Sequence, residues 1–195
     1  MRAYQLPKGG AGIDALVQVE RPDPKPAYRQ VVVKVKACSL NFRDLGIVRG
    51  TYRMPVRENL IPLSDGAGEV IEIGPGATRV KVGDRVAGCF FQRWAGGEAP
   101  ADVHASALGG GIDGMLAEYA VLEEDGVVKI PAHLSLEEGA TPPLCGRHRL
   151  ECDDGARKAD RRSDGVVAGH RWRLDLRPPA RAHDGHSGDH YVVER

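Results

Sequence analysis

The amino-acid sequence changes in character near residue 141, and this change limits the part of the chain that can build a hydrophobic core. Before this point, short apolar segments alternate with turns rich in Gly and Pro. From residue 146 to residue 195 there is no Ile, Phe, Met, Thr, Asn or Gln, yet this stretch holds ten arginines and five of the seven histidines. So polar a segment cannot bury enough apolar surface to offset the entropy of ordering it. We therefore expect a folded domain over residues 1–141 and a disordered tail over residues 142–195.

The apolar pattern before residue 141 is that of short β-strands. In the segment QVVVKVKACSL, Val33, Val35 and Ala37 alternate with two lysines, which is the period of a half-buried strand. The segments GAGEVIEI, DRVAG, LAEYAVL and GVVKIP are further strand candidates, with turns at GPG and at the Gly-Asp pair of KVGDR. Short strands between such turns are typical of a small β-barrel or sandwich. The predicted fold is mainly β with a few short helices.

Two helices are predicted from their N-terminal capping residues. Ser39 is a candidate N-cap for a short helix through NFRDLGIVRG. The segment SLEE forms a capping box, in which Ser135 and Glu138 satisfy each other's backbone N–H groups. The second helix must be short, because Pro142 and Pro143 lack the N–H that helix propagation needs.

The composition excludes several classes of function. The formal net charge is zero, whereas a nucleic-acid-binding domain normally carries a clear basic excess. No apolar run approaches the roughly 20 residues of a membrane span, and the segment MRAYQLPKGG lacks the apolar core of a secretory signal. The four cysteines, Cys38, Cys89, Cys145 and Cys152, form no CxxC pair, so neither a disulfide framework nor a zinc finger is expected. We expect a cytoplasmic protein with no nucleic-acid or membrane partner.

Three segments together resemble the medium-chain dehydrogenase/reductase superfamily, and within it the zinc-independent branch that is quinone-oxidoreductase-like or alcohol-dehydrogenase-like. They are VVVKVKACSLNFRDLGIVRGTY, IPLSDGAGEVIEIGPGATRVKVGDRVAG and GMLAEYAVLEEDGVVKIPAHLSLEEGAT. The resemblance covers about residues 1–141. It implies a GroES-like catalytic barrel, normally followed by a Rossmann domain that binds NADPH or NADH. It also implies a small-molecule substrate, either a quinone or activated alkene that is reduced or an alcohol/carbonyl pair, and it is compatible with a homodimer.

The resemblance also bears on metal binding. Zinc-using relatives place a Cys ligand where this chain has Asn41, and a His-Glu pair where it has Ser64 and Asp65. Asn and Ser are poor zinc ligands compared with thiolate and imidazole. In the lobe that binds a second zinc ion in relatives, this chain offers only Cys89. We therefore expect no metal and no zinc dependence.

By the same resemblance, three residues are candidates for the catalytic site. Asn41 is expected beside the nicotinamide, as a catalytic and cofactor-binding residue, and Asp44 and Tyr52 are expected to line the cleft. A purely structural role is the alternative for each of them. Asn41 and Asp44 are also suited to cap and solvate a short helix, and Tyr52 to pack on the barrel as a loop aromatic.

The genetic code allows the tail to be compared with the family. After EEGAT, the resemblance implies a strand and a Gly-rich turn that binds the cofactor pyrophosphate, and the tail contains neither. In the neighbouring reading frame the codons of Trp172 and Arg173 force a glycine, and residues 169–172 permit GTGG. Flanking codons permit CAGVTAWNAM upstream and VSIFALQLA downstream, which are strings of the family's type. We therefore predict a one-base frameshift near Pro142 and Pro143, which leaves the chain truncated and without its Rossmann domain.

The tail has three interpretations other than a frameshift. An arginine-rich nucleic-acid arm with Trp172 stacked on a base is one, but aspartates cancel much of its charge. Metal binding by the five histidines with Cys145 and Cys152 is another, but no pair of them has the usual ligand spacing. Ordinary disorder is the third.

The functional prediction follows from the domain and the tail together. We expect the catalytic-domain fragment of a zinc-independent, NAD(P)H-dependent oxidoreductase, inactive as written because the cofactor domain is lost. The alternative is a free-standing GroES-like module that binds without catalysis. A binding module is expected to be soluble with a defined stoichiometry, and a broken enzyme is expected to aggregate.

Overall fold

The structure of the chain is a computed structural model, which describes residues 1–94, 96–144 and 192–194. These residues form eight strands and two α-helices. The strands are β1 (Arg2–Gln5), β2 (Val17–Glu20), β3 (Gln30–Ser39), β4 (Asp65–Ile73), β5 (Arg85–Gly88), β6 (Tyr119–Glu123), β7 (Val127–Lys129) and β8 (Val192–Glu194). The helices are α1 (Phe42–Val48) and α2 (Leu136–Ala140). The prediction of a mainly β fold with a few short helices is confirmed.

The predicted tail over residues 142–195 lies outside the described residues, except for residues 142–144 and 192–194. The interpretations of Trp172 and of the tail histidines lie outside them entirely, as do Cys145 and Cys152. In the described part of the chain, no helix has the length and apolar character needed to cross a membrane.

The main sheet curls on itself. Its strand order is β6-β3-β4-β5-β7, with all neighbours antiparallel, and β8 also pairs with β3. β6 and β7 lie at opposite edges of this order, yet only the short turn Glu124–Gly126 joins them. In a flat sheet the two edges would lie about 19 Å apart, because neighbouring strands are about 4.8 Å apart. Four residue steps span at most about 14 Å, so the sheet forms a half-barrel.

β3 lies between β6 and β4 in this sheet and confirms the predicted alternation. Val33, Val35 and Ala37 are buried, whereas the two lysines between them are exposed. On β4, Val70 is fully buried while the neighbouring Ile71 remains partly exposed. The main hydrophobic core fills the inside of the curl. Its fully buried members with the largest side chains are Leu108, Met115, Leu122, Val31, Val33, Val70 and Val86.

Helix α1 begins two residues later than its predicted cap implied. Ser39 still belongs to β3, where it pairs with Asp65 of β4, so it cannot cap a helix. Asn41 occupies the N-cap position instead, with extended backbone angles, and Phe42 is the first helical residue. The prediction of Ser39 as the N-cap was therefore wrong, because strand pairing continues to the end of β3 and Asn serves equally well as a cap.

Helix α2 confirms the predicted capping box. The Ser135 hydroxyl accepts a hydrogen bond from the Glu138 N–H at 3.1 Å, and the Glu138 carboxylate accepts one from the Ser135 N–H at 2.8 Å. The helix packs against the small side chains of Ala37, Ala67 and Ala87 on three neighbouring strands. Small residues at this contact allow the helix to lie close to the sheet.

The turn that joins β6 to β7 contains a buried carboxylate with several donors. The Glu124 side chain is 1% exposed and accepts hydrogen bonds from the backbone N–H groups of Thr78 (2.7 Å) and Arg79 (2.9 Å). The Arg29 side chain adds a third hydrogen bond through Nε at 2.6 Å. The backbone donors of Arg79 and Thr78, followed by Arg29, hold the pKa of Glu124 at about 2, below its ordinary value of 4.5. Glu124 therefore ties the closing turn to the loop after β4 and to the start of β3.

We expect Glu124→Gln to lower the melting temperature at neutral pH, and this loss to shrink as the pH falls from about 4.5 toward about 2. The folded-state pKa of Glu124 is depressed, so its charged form stabilises the fold above the pKa of the unfolded chain. That stabilisation disappears once the folded carboxylate is protonated. Thermal melts over this pH range measure the effect, with Glu72→Gln on the exposed side of β4 as the control. A decrease in melting temperature that stays constant with pH would contradict the depressed pKa of Glu124.

Candidate active site

Two segments that are distant in the sequence meet where β3 ends and β4 begins. Antiparallel pairing places Ser39, the last residue of β3, opposite Asp65, the first residue of β4. Asn41 and α1 follow Ser39 after one residue, Leu40, and Ser64 directly precedes Asp65. Ser39, Ser64 and Asp65 are each at most 1% exposed. The NFRD and LSD motifs of the sequence therefore form one buried polar cluster, which we call the β3–β4 cluster (Ser39, Asn41, Arg43, Asp44, Ser64 and Asp65).

Asn41 and Asp44 form the N-terminal turn of α1. The Asp44 carboxylate accepts a hydrogen bond from the Asn41 N–H at 2.9 Å, and the Asp44 N–H donates to the Asn41 carbonyl, also at 2.9 Å. Asp44 is 4% exposed, and this burial raises its pKa, against the opposing effects of the Asn41 hydrogen bond and the Arg43 charge. The structure thus places both predicted residues in the helix-capping arrangement that was the alternative to a catalytic role. Both also belong to the β3–β4 cluster.

Tyr52 lies in the loop after α1 and is held by Arg43, which sequence reasoning did not single out. The Arg43 Nε–H donates to the Tyr52 hydroxyl oxygen at 3.2 Å. Arg43 Nη1 also lies 3.7 Å from Asp44 Oδ1. Arg43 therefore connects two of the three predicted site residues, Asp44 and Tyr52. The only sequence signal for this was a charged residue within the NFRD motif, directly before Asp44.

Asp65 is a buried carboxylate whose pKa is governed mainly by the loss of solvation. Burial raises its pKa to about 6, and the negative charge of Asp44 adds to this effect. The Leu144 N–H donates to Asp65 Oδ2 at 3.1 Å and opposes the increase, as do the nearby side chains of Asn41 and Ser64. Asp65 therefore changes its protonation state near neutral pH, while remaining 0% exposed. Sequence reasoning noted Asp65 only as the counterpart of a Glu in zinc-using relatives.

Buried polar atoms that lack a hydrogen bond of good geometry are concentrated in this cluster. In the described part of the chain, the cluster contributes five such side-chain atoms, although Asp44 also faces the Arg43 charge at 3.7 Å and Asp65 is influenced by the side chains of Asn41 and Ser64. These atoms are Ser39 Oγ, Arg43 Nη2, Asp44 Oδ1, Ser64 Oγ and Asp65 Oδ1. Native folds rarely leave such atoms unpaired, because each one costs about 1–3 kcal/mol.

The backbone beside the cluster is also unusual. Leu63, directly before Ser64, has a φ of 71°, a region that bulky residues seldom adopt. Its carbonyl accepts the Met115 N–H at 2.9 Å, and a Cβ on Gly109 or Gly114 would collide with its backbone. Strained positions of this kind persist only where neighbouring contacts enforce them, and they occur often at functional sites.

The donor chemistry of the cluster differs from that of a zinc site. Asn41 offers an amide and Ser64 a hydroxyl, whereas protein zinc sites are built mainly from thiolate and imidazole. Among residues 1–94, 96–144 and 192–194, no group of three or more His, Cys, Asp or Glu side chains is placed to hold a metal ion. The two carboxylates present, Asp44 and Asp65, are surrounded by neutral groups and Arg43.

We expect Leu144→Pro to raise the pKa of Asp65 further, because it removes the backbone N–H that stabilises the carboxylate. Residues 142–144 are helical, and proline is tolerated in a first helical turn. Leu144→Ala keeps the N–H and is the matched control. Carbon-13 NMR titration of the aspartate carboxyl groups measures both variants. An equal pKa in Leu144→Pro and Leu144→Ala would mean that this hydrogen bond does not form.

Comparison with known proteins assigns the family. The sequence model of the alcohol dehydrogenase GroES-like domain family matches residues 27–132. The chain is 42% identical over 134 residues to a zinc-type alcohol dehydrogenase-like protein of Schizosaccharomyces pombe, covering 68% of this chain and 39% of that protein. It is 35% identical over 153 residues to a chloroplast envelope quinone oxidoreductase homolog of Arabidopsis thaliana, covering 77% of this chain and 41% of that protein. The chain thus spans about two fifths of the length of these relatives.

Solved structures of related proteins superpose on this chain. A putative alcohol dehydrogenase from Sinorhizobium meliloti 1021 superposes with a TM-score of 0.65 at 30% identity, covering 73% of this chain and 42% of that one. The quinone oxidoreductase from Coxiella burnetii gives a TM-score of 0.63 at 25% identity, covering 80% of this chain and 45% of that one. Since the family model covers more than half of the chain, this protein belongs to the alcohol dehydrogenase GroES-like domain family, within the medium-chain dehydrogenase/reductase superfamily.

Proposed function

We propose that this chain carries the substrate-side half of the active site of a zinc-independent, NAD(P)H-dependent oxidoreductase. The observation that carries the proposal is the concentration, in the β3–β4 cluster, of buried polar atoms that lack a hydrogen bond of good geometry. A fold that satisfies its polar groups elsewhere, as at Glu124, retains such atoms where a ligand supplies the missing partners. The strained backbone at Leu63 supports the same location.

The residues of the cluster suit reduction of a polarised double bond. A bound reduced nicotinamide supplies hydride in this chemistry. The Asn41 amide offers both a donor and an acceptor with which to hold the nicotinamide carboxamide. The Tyr52 hydroxyl offers a hydrogen bond to a substrate oxygen that gains negative charge. Asp44 keeps Asn41 in place through its hydrogen bond to the Asn41 N–H.

The substrate class follows from this chemistry and from the relatives. The substrate must carry an oxygen atom that takes up negative charge when hydride arrives. This oxygen is either part of the double bond that accepts hydride or conjugated to that bond. Quinones, activated alkenes and carbonyl compounds meet this requirement. The relatives, a quinone oxidoreductase homolog and a zinc-type alcohol dehydrogenase-like protein, fall in the same range.

Zinc independence rests on the donor set. Asn41 and Ser64 stand where zinc-using relatives supply thiolate and imidazole, and neither side chain binds zinc well. Without a Lewis acid, the developing negative charge has to be stabilised by hydrogen-bond donors alone. Tyr52, supported by Arg43, is the donor that the described residues offer for this role.

Exposed apolar side chains beside the cluster support a missing second domain. Phe42, the first residue of α1, is 88% exposed, and Leu40, Leu45 and Met54 are each more than one third exposed. Apolar groups gathered beside a polar cleft are typical of a surface that a partner covers. We infer that a cofactor domain covers them in the longer relatives, and that the frameshift near Pro142 has removed it from this chain.

We expect the 195-residue chain to bind NADPH weakly or not at all and to show no reductase activity, because half of the cofactor's contacts are missing. Titration followed by NADPH fluorescence measures this directly. Saturable binding at micromolar concentration would contradict the loss of the cofactor domain. The result also separates a truncated enzyme from a chain whose tail forms its own nucleotide site.

The frameshift itself is tested at the level of the gene. Resequencing across the codons of residues 139–146 and past the codon of Arg195 shows whether one base is surplus. If the corrected frame continues through a Gly-rich nucleotide turn, the restored protein is expected to oxidise NADPH with a quinone or enone substrate. In that protein, Asn41→Ala is expected to raise the KM for NADPH, whereas Glu72→Gln leaves it unchanged. If the bases stand as read, the frameshift proposal is wrong.

A further inference from the structure

Arg43 is the positively charged residue of the β3–β4 cluster. It is the second residue of α1, and its side chain is only 9% exposed. The guanidinium carbon lies 4.9 Å from the centroid of the Tyr52 ring and 4.7 Å from that of Phe90. The guanidinium is therefore held near two aromatic rings, in the range of cation–π attraction.

Three polar contacts fix the orientation of this guanidinium. Its Nε donates to the Tyr52 hydroxyl oxygen at 3.2 Å, and its Nη1 donates to the Gly109 carbonyl at 3.4 Å. Nη1 also lies 3.7 Å from Asp44 Oδ1. A planar guanidinium holds five N–H donors in a rigid fork spread over three nitrogens, whereas the three donors of a lysine ammonium rotate about a single nitrogen.

The backbone of Gly110 lies close to the guanidinium on another side. A Cβ added to Gly110 would collide with Arg43 Nη2. The guanidinium is thus surrounded by two rings, three acceptors and a glycine backbone. An enclosure of this kind restricts the rotamers of Arg43, so the position of its Nε–H is set by the fold and not by solvent.

The hydrogen bond from Arg43 has a consequence for the Tyr52 hydroxyl. A phenol oxygen that accepts an N–H must direct its own proton away from that donor. The hydroxyl is then left to donate its proton to another acceptor. The positive charge of Arg43 beside the phenol also favours this donation.

We propose that Arg43 is a positioning residue, which holds the Tyr52 hydroxyl as a hydrogen-bond donor for an oxygen of the substrate. The substrate class that this arrangement fits is a quinone or carbonyl compound whose oxygen gains negative charge as hydride arrives. This last point rests on the proposed function. The Arg43–Tyr52 contact does not, because it exists in the chain as written.

The contact can be tested in the 195-residue chain by labelling its five tyrosines at the Cζ carbon, whose carbon-13 shift reports hydrogen bonding at the hydroxyl. Tyr52→Phe assigns the Tyr52 signal by its loss. We expect Arg43→Met to shift this signal while the other four stay in place. Arg49→Met removes the same charge from the exposed end of α1 and is the matched control, with no expected change.

Two further variants separate positioning from general packing. Arg43→Lys retains the charge but not the forked geometry, so we expect the Tyr52 signal to shift as in Arg43→Met. Phe90→Leu removes one ring but keeps the donor and acceptor, so the signal is expected to stay near its original position. If Arg43→Met does not fold, the Arg43→Lys and Phe90→Leu pair still decides the question. A Tyr52 signal that is unmoved in Arg43→Lys would overturn the proposal, whatever the outcome of the NADPH experiments.

Discussion

The register between β3 and β4 is the constraint on which the candidate site depends. Val35 pairs with Gly68 and Ala37 with the adjacent Ala67, so Lys36 is an extra residue in a β-bulge. This bulge breaks the alternation, and the last three residues of β3 are all buried. It thereby turns Ser39 toward the start of β4. A shift of the register by one residue would move each side chain to the opposite face of the sheet and separate the two halves of the cluster. The close pairing of β3 and β4 also requires glycine at position 68, because a Cβ there would collide with the Lys34 carbonyl.

Two buried carboxylates show how the same fold produces a structural group and a reactive one. Glu124 and Asp65 are each at most 1% exposed. Glu124 accepts two backbone N–H groups and the Arg29 side chain, so its pKa falls to about 2 and it stays charged. Asp65 has the single backbone donor Leu144, so burial dominates and its pKa rises to about 6. Loss of solvation is the largest influence on the pKa of Asp65, whereas backbone donors are the largest influence on the pKa of Glu124. Of these two carboxylates, Asp65 is therefore the one that can exchange a proton near neutral pH.

Most of the strands could be predicted from the sequence, and most of the site's connections could not. The alternation around Val33 and the Ser135 capping box are local signals, and both are present in the structure. The N-cap was misplaced because the sequence alone does not reveal that strand pairing extends through Ser39. Arg43 was missed for a similar reason. Its partners Phe90 and Gly109 are distant in the chain and become its neighbours only when the sheet curls.

The position of the compositional change relative to the site has a physical consequence. The change begins near Pro142, and two residues later the Leu144 N–H contacts Asp65. That contact uses a backbone donor, which every residue except proline provides. The proposed frameshift would therefore alter the side chains at this point but leave the hydrogen bond to Asp65 available. The β3–β4 cluster would stay intact under that proposal, so an ordered half-site is compatible with the proposed loss of the cofactor domain.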